Sequence, residues 1–320
     1  MSKPSIFITR KLPEKVLAPY RDKLEIDMWE KTDEAVPREV LLRKAREADG
    51  LVTMLTESID DTLLNEAANL KIVANMAVGY DNINVESARK HNIEVTNTPD
   101  VLTDTTADLA FGLLMTSARR IVEADQYVRN GDWKHWAPML MAGSDIHHKT
   151  LGIVGMGRIG TTLAKRGRGF DMEILYHNRS RNVEAEEQLG AEYVSLEYLL
   201  KNADFVVCLA PLTDETYHMF DQAAFKHMKN DAIFINASRG ALVNETALYN
   251  ALVSKEIKGA GLDVFENEPI SKDHPLLQLN QVVCLPHIGS SSVETRTKMM
   301  ELALNNALRV LQGDTAITPV

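Results

Sequence analysis

The sequence predicts an α/β protein made of two doubly wound parallel-sheet domains. Short runs of β-branched residues alternate with longer amphipathic stretches along the chain, a pattern typical of βαβ units and parallel sheets. At 320 residues the chain is too long for one ordinary hydrophobic core. Two stretches, 105–129 and 290–313, break the alternation. Together these observations predict two domains, each with its own sheet.

Ten short apolar runs are the predicted strands, and helical stretches such as 37–48, 61–68 and 244–254 fall between most of them. The predicted strands are 6–9, 51–55, 72–76, 93–96, 151–155, 174–177, 205–209, 233–236, 261–264 and 282–285.

The two interruptions are predicted to be long helices that carry the chain between the domains. Residues 105–129 predict one helix, with Thr105-x-x-Asp108 as a capping box and a stop at Asn130-Gly131. At 1.5 Å per residue it would be roughly 37 Å long. A second helix opens in the serine cluster 290–292, with Ser291-x-x-Glu294 as its capping motif, and runs to residue 313. We therefore expect a discontinuous outer domain, 1–100 plus 290–320, and an inner domain, 101–289.

Composition and charge limit the classes of partner. A net charge of −10 and a pI near 5.4 argue against nucleic acid or an anionic membrane surface. The N-terminus lacks the apolar segment of a signal peptide, and no apolar run is long enough to span a bilayer. Cys208 and Cys284 each lie in an apolar run without a CxxC partner, which predicts inert thiols in a reducing cytoplasm. The histidines form no metal-ligand pattern, so we expect no metal.

A glycine-rich turn at residues 155–160 has the spacing of a dinucleotide site. Gly155-x-Gly157-x-x-Gly160 directly follows a predicted strand and precedes a predicted helix. The first glycine permits the tight turn, the second admits the pyrophosphate, and the third lets helix pack on strand. The helix N-terminus adds free N–H groups for the phosphates. The strand and helix context favours a dinucleotide site over a chance glycine-rich turn, with Met156, Arg158 and Ile159 lying between the glycines.

The end of the second strand of the inner domain predicts the choice of cofactor. An NAD site carries an acid there for the ribose 2′-hydroxyl, whereas this chain has Asn178-Arg179-Ser180-Arg181. Two guanidiniums and a hydroxyl suit a 2′-phosphate. We therefore expect NADPH in preference to NADH, the alternatives being NADH use or a merely solvated basic turn.

Three later strands are followed by residues able to form a reaction centre. Arg239, Glu268 and His287 each come after a predicted strand of the inner domain. Ligands in open α/β sheets bind beyond the carboxyl ends of the strands. Taken one at a time, the arginine could be an ion-pair partner, the glutamate a surface acid and the histidine a core residue. Their order and spacing favour a shared catalytic site.

These segments, with the glycine turn and Val78-Gly79-Tyr80-Asp81-Asn82, resemble the D-isomer-specific 2-hydroxyacid dehydrogenase family over essentially the whole chain. Residues 131–138 and 178–180 further resemble the glyoxylate/hydroxypyruvate reductases within it. The resemblance implies two Rossmann-like or flavodoxin-like domains with a cleft between them. It also implies hydride transfer between NAD(P)H and a small 2-oxo acid, giving the D-2-hydroxy acid.

The resemblance implies a role for each residue of the reaction centre. His287 would protonate the carbonyl oxygen during reduction, work that suits an imidazole because this group titrates near neutral pH. Glu268 would hold the other ring nitrogen and favour the charged imidazolium. Arg239 would bind the substrate carboxylate and polarise the ketone. Backbone N–H groups at Val78, at Gly79 and in the Leu55 loop would bind the same carboxylate.

Cofactor contacts follow from the same resemblance. Asp263 would bind the nicotinamide carboxamide, and Thr105 would contact the cofactor. Further contacts are expected at Ala210, Pro211, Ala237, Ser238 and Gly289.

Two alternative functions, and one question about a second subunit, remain open at this point. A reductase of 2-oxo sugar acids such as 2-ketogluconate would share every motif quoted above. A non-catalytic dinucleotide-sensing protein would share the fold, although the intact reaction centre argues against it. Trp133 and Trp136 most simply cap a helix end, but the resembling reductases use this region as an arm against a second subunit. We accordingly expect a homodimer, and a contact between Trp136 and the partner's active site is a hypothesis that the sequence leaves open.

Overall fold

The computed structural model describes residues 3–320, which form twelve strands and twelve α-helices. The strands are β1 Ser5–Ile8, β2 Glu25–Met28, β3 Gly50–Thr53, β4 Ile72–Asn75, β5 Glu94–Thr96, β6 Thr150–Val154, β7 Glu173–His177, β8 Glu192–Tyr193, β9 Phe205–Cys208, β10 Ile233–Asn236, β11 Gly259–Leu262 and β12 Val282–Cys284. The helices are α1 Glu14–Leu17, α2 Arg38–Glu47, α3 Asp61–Glu66, α4 Val85–Lys90, α5 Thr103–Ala118, α6 Ile121–Arg129, α7 Arg158–Arg168, α8 Val183–Leu189, α9 Leu196–Asn202, α10 Gln222–His227, α11 Glu245–Val253 and α12 Val293–Leu311.

The chain divides into two compact units. The first comprises Met1–Leu102 with Ser291–Val320, and the second comprises Thr103–Ser290. The sequence predicts the domain boundaries at 100/101 and 289/290.

The first unit contains a five-stranded parallel sheet in the order β2-β1-β3-β4-β5. Helices cover both faces, and the alternation of side chains along β1 shows why its sequence is continuously apolar. Ile6 and Ile8 pack with α12 and α1 on one face, whereas Phe7 packs with α2 and α3 on the other.

The second unit contains a seven-stranded parallel sheet in the order β12-β11-β10-β9-β6-β7-β8. Along β9, Phe205 and Val207 face one helical layer while Val206 and Cys208 face the other. The chain runs outwards from β6 in both directions, through β7 and β8 on one side and β9 to β12 on the other. Such a reversal of strand order leaves a crevice at the carboxyl ends of β6 and β9, where doubly wound folds bind ligands. The predicted α/β class with two parallel sheets is confirmed.

All ten predicted strands occur, each within two residues of its predicted bounds. The sequence did not reveal β2 and β8, and both are edge strands. β2 reads Glu-Ile-Asp-Met and is half exposed, while β8 has two residues. Because an edge strand is covered incompletely, it lacks the apolar run that marks the inner strands.

The prediction of one helix over 105–129 is wrong. α5 ends at Ala118 and α6 begins at Ile121, with Arg120 between them in the left-handed region at φ 54°. The Ala118 carbonyl leaves the helical pattern and accepts the N–H of Ser144 at 2.8 Å. α5 therefore ends where the Ala118 carbonyl accepts a hydrogen bond from a later segment of the chain and not from the next turn of a helix.

Two predicted helix caps also differ from the structure. Thr105 lies inside α5, which begins at Thr103, so it does not cap that helix. α12 is capped by Ser292, whose Oγ accepts the N–H of Thr295 at 3.1 Å, rather than by Ser291. None of the helices in the part of the chain described is long and apolar enough to cross a membrane.

Both cysteines are free thiols. Burial raises the pKa of Cys208 to about 12 and, with a smaller contribution from the charge of Glu245, that of Cys284 to about 11. Because the thiolate is the reactive form, neither side chain is a nucleophile at neutral pH.

Candidate active site

The glycine turn lies at the crevice between β6 and β9. Gly155 has φ +106°, and a Cβ there would stand 2.5 Å from the backbone of Leu209 and of Ala210. Only glycine therefore allows the turn to lie against the segment that follows β9. Gly157 N-caps α7, and a Cβ on it would meet nothing within 4 Å, which leaves open space beside the helix N-terminus.

The side chains that follow β7 hold Met156 in this turn. Its N–H donates to Asn178 Oδ1 at 2.6 Å, and its carbonyl accepts from Asn182 Nδ2 at 2.9 Å. The Met156 N–H is therefore not available to a phosphate. The N–H groups of the first turn of α7 have no acceptor within the helix and, with the positive end of its dipole, suit a pyrophosphate.

One of the two guanidiniums predicted to suit a 2′-phosphate is engaged elsewhere. Arg181 forms a two-pronged ion pair with Glu186, whose carboxylate also accepts the hydroxyl of Tyr176 at 2.5 Å. The hydrogen bonds from Arg181 and Tyr176 lower the pKa of Glu186 to about 2. Arg179 and Ser180 are both exposed at the end of β7. The sequence did not reveal this pairing, since only the fold of α8 brings Glu186 back onto Arg181.

A histidine–glutamate pair lies beyond the carboxyl ends of β11 and β12. His287 Nδ1 is 2.7 Å from Glu268 Oε2, and both side chains are about two-thirds buried. Partial burial alone would raise the pKa of Glu268. The hydrogen bond and charge of His287, the N–H of Phe265 at 2.9 Å and the charge of Arg239 outweigh it, so the pKa lies below its usual value. Glu268 is consequently ionised at neutral pH, and its bond to Nδ1 leaves His287 Nε2 as the outer ring nitrogen.

Asp263 fixes the turn that carries His287. The Asp263 carbonyl accepts the N–H of His287, and its Oδ1 accepts the N–H of Ile288, both at 2.8 Å. These bonds support the left-handed backbone of His287 at φ 54°. Burial raises the pKa of Asp263, although nearby backbone N–H groups oppose the shift.

The second carboxylate oxygen of Asp263 is a buried acceptor. Asp263 is fully buried, and within residues 3–320 its Oδ2 has no hydrogen-bond partner. A buried acceptor without a donor is costly, and an incoming amide N–H would remove that cost. The unpartnered Asp263 Oδ2 and the open space at Gly157 together make this unit fit a nicotinamide dinucleotide. Gly289 lies beside Oδ2, since a Cβ on it would stand 3.3 Å from that atom.

Arg239 is brought to the Glu268 loop by a close backbone contact. A Cβ on Gly240 would stand 1.8 Å from the Phe265 carbonyl carbon and 2.3 Å from the Glu266 nitrogen. The Arg239 carbonyl accepts Asn236 Nδ2 at 2.9 Å, and its guanidinium donates to the Ser238 carbonyl at 2.9 Å. The second unit thus assembles all three residues predicted for the reaction centre.

Two contacts that the sequence did not predict hold neighbouring loops. Ser238 Oγ donates to the Ala210 carbonyl, which joins the segments that follow β9 and β10. Glu266 Oε1 lies 2.9 Å from His218 Nε2 and accepts the Tyr217 hydroxyl at 3.2 Å.

The remaining predicted cofactor residues lie in the same unit. Thr105 lies in the first turns of α5, and Pro211 and Ala237 directly follow Ala210 and Asn236.

The predicted substrate loop of the first unit follows β4 and directs its carbonyls inwards. Val78 C=O accepts Asn97 Nδ2 at 2.8 Å, and Gly79 C=O accepts Asn75 Nδ2 at 2.9 Å. In a trans peptide the carbonyl and the following N–H point in opposite directions. The N–H groups of Gly79 and Tyr80 are therefore directed away from the two asparagines.

A third peptide of this loop has the same orientation. Ala77 C=O accepts the N–H of Thr98 at 2.8 Å, which turns the Val78 N–H outwards as well. In the described chain, none of the N–H groups of Val78, Gly79 and Tyr80 has an acceptor. Three successive N–H groups without an acceptor in the described residues are donors that suit an anion.

In the Leu55 loop, too, an asparagine side chain bonds to backbone carbonyls and so sets the direction of a neighbouring N–H group. Asn82 Nδ2 donates to the carbonyls of Met54 at 3.1 Å and Glu57 at 2.8 Å, so the Leu55 N–H faces away from Asn82. Glu57 is almost fully buried, accepts the Met54 N–H at 2.7 Å and pairs with Arg10 at 2.8 Å. Sequence reasoning assigned no role to these side chains, although Asn82 lies in the motif quoted above.

Residues 111–289 match the family model described as D-isomer specific 2-hydroxyacid dehydrogenase, NAD binding domain. The chain is 51% identical over 314 residues to a glyoxylate reductase of Korarchaeum cryptofilum, covering 98% of this chain and 94% of the relative. A crystal structure of a Thermus thermophilus protein superposes with a TM-score of 0.93 at 42% identity, covering 99% of each chain. An NADPH-dependent glyoxylate/hydroxypyruvate reductase of Sinorhizobium meliloti, solved with NADP and malonate, gives 0.85 at 34% identity, over 100% of this chain and 97% of that one.

Proposed function

Because the chain belongs to the D-isomer specific 2-hydroxyacid dehydrogenase family of NAD(P)-dependent oxidoreductases, we propose that it reduces glyoxylate or hydroxypyruvate to the D-2-hydroxy acid, with NADPH preferred. One observation carries the proposal: the His287–Glu268 pair has Arg239 close enough for its charge to lower the pKa of Glu268. A proton donor, its orienting carboxylate and a carboxylate-binding cation are what the reduction of a 2-oxo acid requires.

His287 is the general acid of the proposed reaction. The bound cofactor would supply the hydride. Nε2 of His287 gives its proton to the carbonyl oxygen, since Nδ1 is bonded to Glu268 at 2.7 Å. The ionised carboxylate of Glu268 stabilises the imidazolium before transfer and orients the ring. In the reverse direction the neutral imidazole takes the proton from the hydroxyl group.

The substrate is held by its carboxylate. Arg239 forms charge-assisted hydrogen bonds to the carboxylate and the carbonyl oxygen, and so polarises the ketone. The outward N–H groups of Val78, Gly79 and the Leu55 loop supply neutral donors from the first unit. Each of these donor sets suits a carboxylate, and Arg239 also suits an acid whose carbonyl oxygen lies next to its carboxylate.

Cofactor preference is proposed to depend on Arg179 and Ser180. No acidic side chain occupies the end of β7, where Asn178 is engaged with the Met156 N–H. Arg179 is the guanidinium of this loop that Glu186 does not hold, and it suits a 2′-phosphate. The first turn of α7 would hold the pyrophosphate, and Asp263 Oδ2 would accept the carboxamide N–H.

The test is a substrate panel run with NADPH and NADH side by side. We expect oxidation of NADPH on addition of glyoxylate or hydroxypyruvate. His287→Asn should lose most of this activity, and asparagine tolerates the left-handed backbone at this position. His148→Asn is the matched control, because His148 is exposed and has φ 58°. An unaffected His287→Asn variant would contradict the assignment of the acid.

The same panel separates the alternatives. A preference for 2-ketogluconate would identify a sugar-acid reductase, which would use the same groups around His287. No turnover with any 2-oxo acid, together with tight NADPH binding, would favour a dinucleotide-sensing protein.

A homodimer is proposed from the exposed apolar residues of α6 and the segment after it. α6 buries none of its residues, and Ile121 and Val128 are at least half exposed. Trp136 and Met139 are each 78% exposed. Several large apolar side chains exposed in one stretch of the chain are typical of an interaction surface. Trp136→Ala should lower the oligomeric mass or raise the substrate KM, and a variant with neither change would contradict the proposal.

A further inference from the structure

The C-terminal segment is bonded to the residue that holds the substrate loop. Asn97, whose Nδ2 donates to the Val78 carbonyl, is bonded on both sides of its backbone to Thr318. The Asn97 N–H donates to the Thr318 carbonyl at 3.3 Å, and Thr318 Oγ1 donates to the Asn97 carbonyl at 2.7 Å. The side chain of Asn97 thus faces the loop while its backbone faces the tail.

Thr318 is in turn held by α12. Asn306 is fully buried, its Nδ2 donates to Thr318 Oγ1 at 2.8 Å, and its Oδ1 accepts the N–H groups of Ile317 and Thr318. The hydrogen bonds therefore run without a break from Asn306 through Thr318 and Asn97 to the Val78 carbonyl. Thr318 thus fixes the backbone from which the side chain of Asn97 reaches the Val78 carbonyl.

The tail also covers the open edge of the first sheet. Pro319 pairs with Thr96 of β5 in an antiparallel bridge, and the Val320 N–H donates to the Val95 carbonyl at 2.9 Å. An edge strand otherwise presents unpaired N–H and carbonyl groups. The tail thereby fixes the end of β5, from which Asn97 projects to the loop.

We propose that residues 315–320 form a positioning element for the oxo-acid loop, acting on Val78 and Gly79 through Asn97. The inference rests on the proposed function, in which the N–H groups of this loop bind the substrate carboxylate. Without Thr318 Oγ1, Asn97 loses a bond that sets its backbone, and the Val78 peptide is free to rotate. The N–H groups then lose their fixed orientation, which weakens carboxylate binding while His287 and Arg239 stay unchanged.

The test compares variants by their kinetic constants for the 2-oxo acid. Thr318→Val, which keeps the shape and removes the hydroxyl, and Asn97→Leu should raise the substrate KM about 10-fold with little change in kcat or in the Kd of NADPH. Thr318→Ser, which keeps the hydroxyl, should restore the KM. Asn69→Leu is the matched control, because Asn69 Nδ2 also donates to a backbone carbonyl of this unit, at Arg46.

A second readout does not depend on activity. Hydrogen exchange of the Asn97 and Thr98 amides, which are bonded to Thr318 and Ala77, should accelerate in Thr318→Val and not in Thr318→Ser. An active wild-type enzyme with unchanged KM and exchange in Thr318→Val would overturn the inference. A wild-type protein that reduces no 2-oxo acid but shows the accelerated exchange would overturn the proposed function and leave the positioning of the loop supported.

Discussion

The contact at Gly240 allows a demanding test of the reaction centre. A Cβ at this position would lie 1.8 Å from the Phe265 carbonyl carbon, 2.0 Å from its oxygen and 2.3 Å from the Glu266 nitrogen. Carbon atoms pack at about 3.5 Å or more, so Gly240→Ala must separate the two backbones by about 1.7 Å. The separation moves Arg239 away from the loop that carries Glu268. Because a misplacement of about 1 Å costs roughly 100-fold in rate, we expect kcat to fall by at least roughly 100-fold.

Steady-state kinetics and thermal denaturation together test this reasoning. Overpacking of about 1–3 kcal/mol should lower the Tm by roughly 2–12 °C while the protein stays folded. Gly112→Ala is the control, since Gly112 is exposed in α5 and a Cβ there would meet nothing within 4 Å. It should leave kcat unchanged and stabilise the helix by about 1 kcal/mol. A folded Gly240→Ala enzyme with kcat within threefold of wild type would refute the argument.

Three further predictions concern charge. Glu268→Gln should lower kcat/KM for reduction by at least about 100-fold, because Nδ1 of His287 then no longer bonds to a carboxylate and the ring is oriented less firmly; a kcat/KM within about threefold of wild type would contradict this. The pKa of Glu186 is lowered from 4.5 to about 2, so its ion pair with Arg181 stabilises the protein above pH 4.5 and is lost as the pH falls towards 2. The Tm difference between wild type and Glu186→Gln should therefore shrink over that interval in a denaturation series, whereas a constant difference would argue against the pair. Arg179→Ala should raise the KM for NADPH by roughly 10–100-fold and that for NADH by less than about threefold, and equal effects would exclude a 2′-phosphate contact.

The inner strands could be predicted because burial on both faces demands an uninterrupted apolar run. β2 and β8 escaped prediction since edge strands do not meet that demand. The break between α5 and α6 escaped for a different reason. Local sequence favours a continuous helix there, and the competing bond from Ser144 comes from 26 residues beyond Ala118. Tertiary contacts of this kind leave no periodic signal in the chain.

The residues of the candidate site likewise fall into a group that the sequence points to and a group that it does not reveal. The sequence points to Arg239, Glu268 and His287 because each lies in the segment after a parallel strand and carries a reactive group, and their catalytic roles stay predictions. The side chains that orient the backbone, Asn75 and Asn97, could not be predicted. Their role depends on which carbonyl the fold places beside each amide, and the sequence does not show this for Asn75 at the end of β4 or for Asn97 after β5.

The bond between Asn178 and Met156 restricts how cofactor preference can evolve in this chain. If NADPH is preferred, as proposed, a change towards NADH requires an acid at the end of β7, and Asn178 is the residue that lies there. Replacement by alanine or a larger hydrophobic residue would leave the Met156 N–H without its acceptor at 2.6 Å. Aspartate retains an oxygen for that N–H and offers a second one to ribose hydroxyls. A single substitution of asparagine by aspartate is therefore the accessible route to NADH use, because it keeps an oxygen acceptor for the Met156 N–H in the glycine turn.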